Sequence, residues 1–356
     1  MGKVINILWR PAFSSYTLKI KKMINKIKED EFYSREFKFS YSSLNRLLFS
    51  PKLFYKDYIL KEREIKTDKH LIEGKLLHLM LLQPEKLNDE FSIVPGKIPS
   101  DNVRKVLNQL ADFQKKNYKS HIDPDLKDLD TFILQALKDH NLYQSFKDDN
   151  KRLAKIQTFE CEDYFKFICE SDKKDVIDND MLAKAVERVT LLKENEDVMK
   201  LMNQEETDFE MDSIEVHNEK YLECELKDYD FGLKGYVDRY IIDHEKEEII
   251  IVDLKTTSKG LEKFAETVDF YKYWMQAVIY SILVIKNSDK DISHYKKSFK
   301  FATIDNYNHV YVFDVREKTF NEWMKGFMNI LSQAEYHYKE KDYNLPYDFA
   351  KKNVIL

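Results

Sequence analysis

Hydrophobic and polar positions along residues 223–280 predict two strands followed by a helix. The runs 231–243 and 248–255 are rich in β-branched and other apolar residues, and the polar segment 244–247 separates them. Two such runs joined by a short polar turn are typical of a β-hairpin. Apolar residues at helical spacing then predict an amphipathic helix over 270–285. We therefore expect a sheet whose central hairpin is followed closely by a helix.

The N-terminal part of the chain carries helical patterns, in which apolar residues recur every three or four positions. We expect helices over 18–31, 42–49, 51–60 and 73–82. Ser42 or Ser43 is the expected N-cap of the second helix, because a serine side chain accepts from N–H groups of the first turn. Pro51 suits the first turn of the third helix, where the missing proline N–H would have no partner anyway.

The middle of the chain is polar, helical in pattern and without catalytic spacing, and we interpret 100–205 as a helical insertion. This insertion could line a substrate channel or only add core. Beyond it we expect strands at 209–217 and 221–226, a hairpin over 299–305 and 309–315, and a helix over 317–339. Strands interleaved with helices indicate an α/β fold, with a mixed central β-sheet flanked by helices. The expected organisation is an N-terminal helical extension, 1–36, and one main domain, 37–356.

Composition narrows the class of protein. The chain has 356 residues, of which 43% are hydrophobic and 34% charged, so a sizeable core and a polar surface are both expected. No run of 18 apolar residues occurs, and no membrane span is expected. Three cysteines do not form a disulfide framework, and a reducing cytoplasm, bacterial or phage-infected, is the expected location. The net charge of −5 is unusual for a general nucleic-acid binder, although a protein that engages DNA in a local groove need not be basic.

Charged residues inside the predicted hairpin are the candidate chemistry. Asp238 interrupts the first strand, and Asp253 and Lys255 end the second. A charge in a buried strand costs several kcal/mol unless it is paired. Because side chains alternate along a strand, Asp253 and Lys255 face one way, and a regular hairpin sets Asp238 across from that face. Two carboxylates and a lysine that converge in this way suit Mg²⁺ or Mn²⁺ and metal-assisted hydrolysis of a phosphodiester.

These motifs resemble a known family, the PD-(D/E)XK nucleases, and in particular their RecB and lambda-exonuclease branch. The matching segments are Gly235-Tyr236-Val237-Asp238, Ile251-Val252-Asp253-Leu254-Lys255-Thr256, Gln276-x-x-x-Tyr280 and Gly74-x-x-x-His78. The flanking segments 41–44, 50–54 and 73–85 are similar to the RecE-type exodeoxyribonuclease VIII domain. The resemblance covers roughly residues 40–343. Each motif alone is weak, but four motifs in the family's order are specific.

The resemblance implies a restriction-endonuclease-like core and a role for each matched residue. Asp238, Asp253 and the Leu254 carbonyl are expected to bind Mg²⁺ or Mn²⁺, and Lys255 to orient or help deprotonate the attacking water. The further expected site residues are His78 in or near the metal shell, Gln276 and Tyr280 beside Lys255 or a phosphate, Glu225 near the metals, and Ser50 and Lys52 on the DNA backbone. Simpler readings remain open for several of them, since His78 and Tyr280 would also suit a packed core and Glu225 a solvated surface.

The function implied by the resemblance is a metal-dependent exonuclease that resects linear duplex DNA in recombination or repair, as in phage. Its implied partners are DNA ends, a single-strand annealing protein and further copies of the chain in a ring. An endonuclease of the same fold is one alternative. A catalytically inactive DNA-binding or assembly protein is the other, although the intact set of Asp238, Asp253 and Lys255 argues against it.

Overall fold

The structure is a computed structural model and describes residues 12–34, 37–63, 68–117, 125–171, 174–203 and 213–354. In chain order the strands are β1 (Lys38–Phe39), β2 (Phe91–Ile93), β3 (Asp175–Ile177), β4 (Ile214–Glu225), β5 (Gly232–Asp243), β6 (Glu248–Thr257), β7 (Lys296–Asp305) and β8 (Val310–Val315). The helices are α1 (Ala12–Ser34), α2 (Tyr41–Phe49), α3 (Pro51–Phe54), α4 (Lys69–Leu82), α5 (Leu87–Glu90), α6 (Asp101–Asn117), α7 (Asp130–Asp139), α8 (Asp149–Leu153), α9 (Phe159–Glu170), α10 (Asn179–Glu194), α11 (Glu196–Met202), α12 (Phe264–Tyr271), α13 (Tyr273–Asn287), α14 (Glu317–Glu340) and α15 (Tyr347–Ala350). None of these described helices is both long enough and apolar enough to cross a membrane.

The chain divides into two compact units. The first combines Met1–Lys66 with Asn195–Leu356, and the second is Thr67–Glu194. The second unit holds most of the predicted insertion 100–205, and it also takes in α4, α5 and β2 ahead of residue 100. The reason is local pairing, because β2 pairs in parallel with β3 and α4 packs against α10.

The first unit is built on a mixed sheet with the order β1-β5-β6-β7-β8, and β4 also pairs with β5. Both predicted hairpins are present, as antiparallel β5–β6 and β7–β8. Strands β6 and β7 are parallel, and the connection between them carries α12 and α13. A parallel pair requires such a crossover, and α13 returns across the sheet to pack on β4, β5 and β6. The mixed, helix-flanked sheet is the fold class predicted from the sequence.

Many apolar residues of the first unit form a core between the sheet and helices α2, α3, α13 and α14. Its fully buried members include Phe39, Leu44, Phe54, Leu233, Ile279, Phe301 and Phe327. The second unit has cores of its own, one of them around Val106, Leu110, Ile133 and Phe165 on α6, α7 and α9. The sheet that carries the candidate chemistry is therefore held by the first unit's own packing.

The N-cap of helix α2 lies two or three residues before the serines that the sequence pattern predicts. Ser40 is the N-cap, and Ser43 is the third helical residue that completes a reciprocal capping box with it. The predicted cap at Ser42 or Ser43 is wrong because both residues lie in the first turn of the helix, where the Ser43 hydroxyl accepts from the Ser40 N–H. Ser50 caps α3, with Pro51 in the first turn as predicted, and the chain continues into a π-helix, Tyr55–Ile59.

Two further predictions of element boundaries are corrected by backbone at positive φ. The single helix expected over 270–285 is two helices, α12 and α13, separated at Lys272, whose φ is 58°. The two strands expected at 209–217 and 221–226 are one strand, β4, with Glu219 at a φ of 45° in its middle. Residues 209–212 of that prediction lie outside the described part of the chain.

Candidate active site

Strands β5 and β6 separate at the two aspartates. Their ladder runs from the pair Asp243 and Glu248 to the pair Arg239 and Val252, and it ends there. Continuing the same register by one residue would set Asp238 opposite Asp253. Beyond this point β5 stays paired with β4, and β6 with β7. We call the opening between segments 234–238 of β5 and 253–257 of β6 the fork.

Asp238 and Asp253 are buried at the base of the fork, with 6% and 0% of their surfaces exposed. The Leu254 N–H donates a hydrogen bond of 2.8 Å to Oδ2 of Asp238. This bond replaces the strand ladder at the point where the ladder stops, and it ties Asp238 to the Asp-x-Lys segment. Two buried carboxylates so close to each other are unfavourable unless a cation compensates them.

Lys255 supplies one such cation. Its Nζ lies 2.5 Å from Oδ2 of Asp253 and 4.7 Å from the centre of the Tyr273 ring. Burial lowers the pKa of the Lys255 ammonium, but the carboxylates of Asp253 and Asp238 raise it by more, and the net shift is upward. Lys255 is therefore held protonated, so it can orient a water molecule or a phosphate by donating hydrogen bonds but cannot accept a proton in this state.

A third carboxylate, which the sequence analysis missed, belongs to Glu219. Strand β4 pairs Asn218 with Arg239 and Lys220 with Val237, and Glu219 lies between them, across from Asp238. One carboxylate oxygen of Glu219 and one of Asp238 lie within 4.8 Å of each other. The left-handed φ of Glu219 costs about 1 kcal/mol or more in a residue with a side chain, and such strain is concentrated at functional sites. The available signal is the polar run at 218–220, which separates the two predicted strands.

Glu225, the strand carboxylate favoured from the sequence, is not brought to the fork. It pairs with Gly232 in the register of β4 and β5, six positions along the strand from Glu219 and therefore about 20 Å away. Its exposed carboxylate forms an ion pair of 2.8 Å with Lys38, and Glu223 lies 3.5 Å from the same ammonium. The choice of Glu225 is corrected because alternation fixes the face of a strand but not the position along it.

Gln276 and Tyr280 lie one turn apart on α13, where the helix crosses the sheet. Nε2 of Gln276 donates a 2.7 Å hydrogen bond to the Tyr280 hydroxyl, and both side chains are buried. The Tyr280 ring packs against Gly235, where a Cβ atom would stand only 3.1 Å from it, so a larger residue would require the ring to shift. Burial raises the pKa of Tyr280 well above its ordinary value, and the charges of Asp238 and Asp253 add to the shift. The hydroxyl thus stays neutral beside the acidic pair.

Two buried polar atoms near the fork make no hydrogen bond to any described residue. They are Oε1 of Gln276 and Oγ1 of Thr303. Thr303 neighbours Lys255 in the register of β6 and β7, so their side chains share one face of the sheet. Because buried polar atoms are usually paired, we expect these two to bond to a water molecule or to a bound ligand.

A divalent cation fits the donor set of the fork. Within the first unit, Glu219, Asp238 and Asp253 offer hard oxygen ligands, and such ligands suit Mg²⁺ and Mn²⁺. The three carboxylates exceed the single charge of Lys255, so a bound dication would balance the charge of these four groups. The Leu254 carbonyl, predicted as a further ligand, stays a prediction.

The remaining predicted residues lie in helices or at a helix N-cap. His78 is half-buried on α4, in the second unit, and its role at the metal stays a prediction from the Gly-x-x-x-His motif. Ser50 is half-buried, and its side chain accepts from the Leu53 N–H at the start of α3. Lys52 is exposed in the same turn. Contact of Ser50 and Lys52 with DNA also stays a prediction.

Comparison with known proteins assigns the family. A family model described as the PD-(D/E)XK nuclease superfamily matches residues 38–335, which is well over half of the chain. The search of curated proteins found no match. Among solved structures, a candidate exonuclease from Eubacterium rectale matches with a TM-score of 0.46 and 13% identity, covering 91% of each chain. The protein SSO0001 matches with a TM-score of 0.21 and 14% identity, covering 73% of this chain and 86% of the other.

The chain belongs to the PD-(D/E)XK nuclease superfamily, on the strength of the family model alone. The two structural likenesses have TM-scores below 0.5. The motif order read from the sequence and the family assignment agree on the superfamily.

Proposed function

We propose that this protein hydrolyses phosphodiester bonds of DNA with Mg²⁺ or Mn²⁺ bound at the fork. One observation carries the proposal above all, namely the convergence of Asp238, Asp253 and Lys255 where the β5–β6 ladder ends. A buried acidic pair with an adjacent protonated lysine is costly to build for stability alone. The superfamily to which the chain belongs consists of nucleases, and this arrangement has the composition of a metal-dependent hydrolytic site.

The proposed ligands are the carboxylates of Asp238, Asp253 and Glu219 and the carbonyl of Leu254, with His78 in or near the shell on the basis of its motif. When bound, the cation would supply Lewis-acid stabilisation of the charge that develops on the phosphate. The Leu254 N–H fixes the Asp238 carboxylate, and the left-handed backbone of Glu219 directs a third carboxylate toward it.

Lys255 has a positioning role in this proposal. Its ammonium is fixed by Asp253 and by the face of the Tyr273 ring, and its N–H groups can donate to the attacking water or to a phosphate oxygen. The neutral Tyr280 hydroxyl, held by Gln276, faces the same acidic pair and can donate a hydrogen bond there. These residues bind and orient, while the carboxylates neutralise and hold the cation.

The finer proposal is an exonuclease of the RecE type that acts on linear duplex ends in recombination or repair. It is supported by the order of the four motifs and by the flanking segments 41–44 and 50–54. A single-strand annealing partner and a ring of several copies belong to this finer proposal. The alternatives remain an endonuclease and an inactive assembly protein, and the complete set of Asp238, Asp253 and Lys255 favours a catalyst.

Digestion of end-labelled linear duplexes by the purified protein tests both levels. We expect release of label with Mg²⁺ or Mn²⁺, no cleavage with chelator, and survival of covalently closed circular DNA. Asp253→Asn should be inactive, while Glu225→Gln, which removes an exposed carboxylate on the same sheet, should cleave like the parent. Cleavage of closed circles would show that the protein is an endonuclease and not an exonuclease. Undiminished cleavage in excess EDTA would refute the metal site.

A further inference from the structure

Three aromatic side chains form a continuous row from Lys255 outward. Nζ of Lys255 lies 4.7 Å from the Tyr273 ring, and the Tyr273 and Tyr271 rings are stacked, with centres 5.6 Å apart and planes 21° apart. The Tyr271 ring meets Phe270 edge to face at 4.9 Å. We call Tyr273, Tyr271 and Phe270 the aromatic row. It starts at the candidate catalytic lysine, so any ligand that lies on the row also reaches the fork.

The aromatic row becomes more exposed with distance from the fork. Tyr273 is half-buried, while Tyr271 is 45% and Phe270 70% exposed. Single exposed rings are common on protein surfaces. Tyr273 packs against the core of the first unit, whereas Tyr271 and Phe270 continue the row into solvent as a connected pair. Nζ of Lys259 lies 5.9 Å from the centre of the Phe270 ring, which places a positive charge at the outer end. The aromatic row therefore has a lysine at each end, Lys255 at the fork and Lys259 at the outer ring.

The backbone is bent to make this row. Residues two apart on a continuous helix point to different sides, so Tyr271 and Tyr273 could not stack within one helix. The break between α12 and α13 at Lys272, with a φ of 58°, turns the second ring back beside the first. Left-handed backbone at a lysine costs conformational free energy, which the surrounding structure must offset.

The bend is also anchored from outside the two helices. The Tyr41 hydroxyl donates a 2.5 Å hydrogen bond to the Tyr271 carbonyl, and Nδ2 of Asn45 donates to the same oxygen at 3.4 Å. Both donors are on α2, whose core residues pack into the first unit. The aromatic row is thus a preorganised surface rather than a set of loose side chains.

We infer that the aromatic row stacks unpaired bases of the DNA strand whose phosphate lies at Lys255. This inference rests on the proposed function and specifies its substrate as a strand that is single-stranded at the site. Aromatic faces stack on any base, and the lysines at the two ends of the row can meet phosphates, which is the combination that binds single strands without sequence preference. Bases within an intact duplex are already stacked and paired, so a duplex can engage the row only through an unpaired end.

The test measures binding without metal, so that no strand is cut. Wild type and the double variant F270A/Y271A are titrated into a fluorescent single strand, a matched strand without bases and a blunt duplex, all followed by anisotropy in EDTA. We expect wild type to prefer the strand with bases, and the double variant to lose about tenfold or more in affinity for it. Affinity for the strand without bases should be unchanged, because its phosphates still meet the lysines.

Two control variants test whether the loss of affinity is specific to the two rings at the outer end of the row. F270Y/Y271F preserves both rings and should bind like wild type. F349A removes a ring that is 55% exposed on α15 and should also bind like wild type. Equal binding of wild type to strands with and without bases would overturn the inference, and this is the result expected if the row instead receives an apolar protein segment.

Cleavage by wild type with Mn²⁺ is measured on the same strands. If wild type cleaves DNA but binds strands with and without bases equally, base stacking on the aromatic row is refuted and the proposed nuclease activity stands. If wild type binds the strand with bases more tightly, F270A/Y271A loses this preference, and wild type cleaves nothing, base stacking on the row is supported and the proposed catalysis is refuted.

Discussion

The Leu254 N–H donates a 2.8 Å hydrogen bond to Oδ2 of Asp238, and this bond joins the two acidic motifs of the chain. Asp238 thus has two roles. Its carboxylate links β5 to β6 at the base of the fork, and it also carries one of the charges proposed to bind metal. The roles separate on substitution, because asparagine keeps an oxygen acceptor but loses the charge.

Asp238→Asn and Asp238→Ala should therefore differ in stability and agree in metal binding. Without metal, Asp238→Asn should be at least as stable as the parent, because repulsion with Asp253 is relieved. Asp238→Ala should be about 1 kcal/mol less stable than Asp238→Asn, because the buried Leu254 N–H loses its acceptor. Both should lose the rise in melting temperature that Mn²⁺ gives the parent, since selective binding to the native state is the source of that rise. Differential scanning calorimetry with and without Mn²⁺ measures both effects.

Lys255→Ala should reduce turnover without abolishing metal binding. The ammonium donates hydrogen bonds and supplies none of the metal ligands, so Mn²⁺ affinity should stay near the parent's. Turnover should fall about 100-fold or more, as for loss of a preorganised charged donor. Isothermal titration with Mn²⁺ beside a nuclease assay separates the two quantities. Full turnover in Lys255→Ala would show that the lysine only neutralises Asp253.

Thr303→Val should stabilise the metal-free protein by about 1 kcal/mol, because it removes a buried hydroxyl that has no hydrogen-bond partner among the described residues. Valine has nearly the shape of threonine, so packing is preserved. Thr303→Ser keeps the hydroxyl and serves as the control that should not gain stability. Urea unfolding measures the difference, and a fall in the unfolding free energy of Thr303→Val would mean that the hydroxyl is bonded.

His78→Ala tests the role of the motif histidine in the second unit. If His78 belongs to the metal shell, the variant should melt near the parent without metal and show a smaller rise with Mn²⁺. A packed histidine behaves in the opposite way, because its removal lowers stability by about 0.5–3 kcal/mol and leaves the metal untouched. A low metal-free melting temperature together with parental Mn²⁺ affinity would show that His78 is a packed residue and not a metal ligand.

Asp305 provides a pH-dependent contribution to stability at the end of β7. Its carboxylate accepts from the backbone N–H groups of Leu261, Tyr307 and His309 and contacts the His309 ring. Burial raises the pKa of Asp305, but these hydrogen bonds lower it by more, and the net shift is downward. A carboxyl whose folded pKa lies below its unfolded value stabilises the fold above the unfolded pKa, and this stability is lost as pH falls through the folded pKa.

Asp305→Asn should accordingly be less stable than the parent at neutral pH, and the gap should close below about pH 4, near the unfolded pKa of aspartate. Urea unfolding from neutral to acid pH gives the gap at each pH. Asp289→Asn, at an exposed aspartate after α13, is the matched control and should follow the parent throughout. A gap that stays constant down to acid pH would mean that Asp305 contributes through shape and not through charge.

The sequence predicted the parts of the fold and site that depend on local pattern. Both hairpins and the mixed sheet follow from apolar runs with short polar turns, and the Asp-x-Lys spacing places Asp253 and Lys255 on one face. What it could not predict depends on backbone in the left-handed region. Glu219 and Lys272 are ordinary residues at positive φ, and no glycine marks either position.

The error at Glu225 has a different physical cause. Alternation limits a strand carboxylate to one of two faces, but its position along the strand follows from register, which pairing with β5 determines. Lys38, which neutralises Glu225, is distant in sequence and comes from β1. Long-range pairing of this kind leaves no periodic signal in the chain.

The location of Mn²⁺ in crystals of the protein tests the central claim most directly, because manganese is identified by its anomalous scattering. The account predicts a peak in the fork, bound by oxygens of Asp238 and Asp253, at about 2.0–2.2 Å. The same crystals of Asp253→Asn should lack this peak, while Glu225→Gln should keep it. A fork without manganese, in crystals of a protein that cleaves DNA with the same ion, would contradict the account.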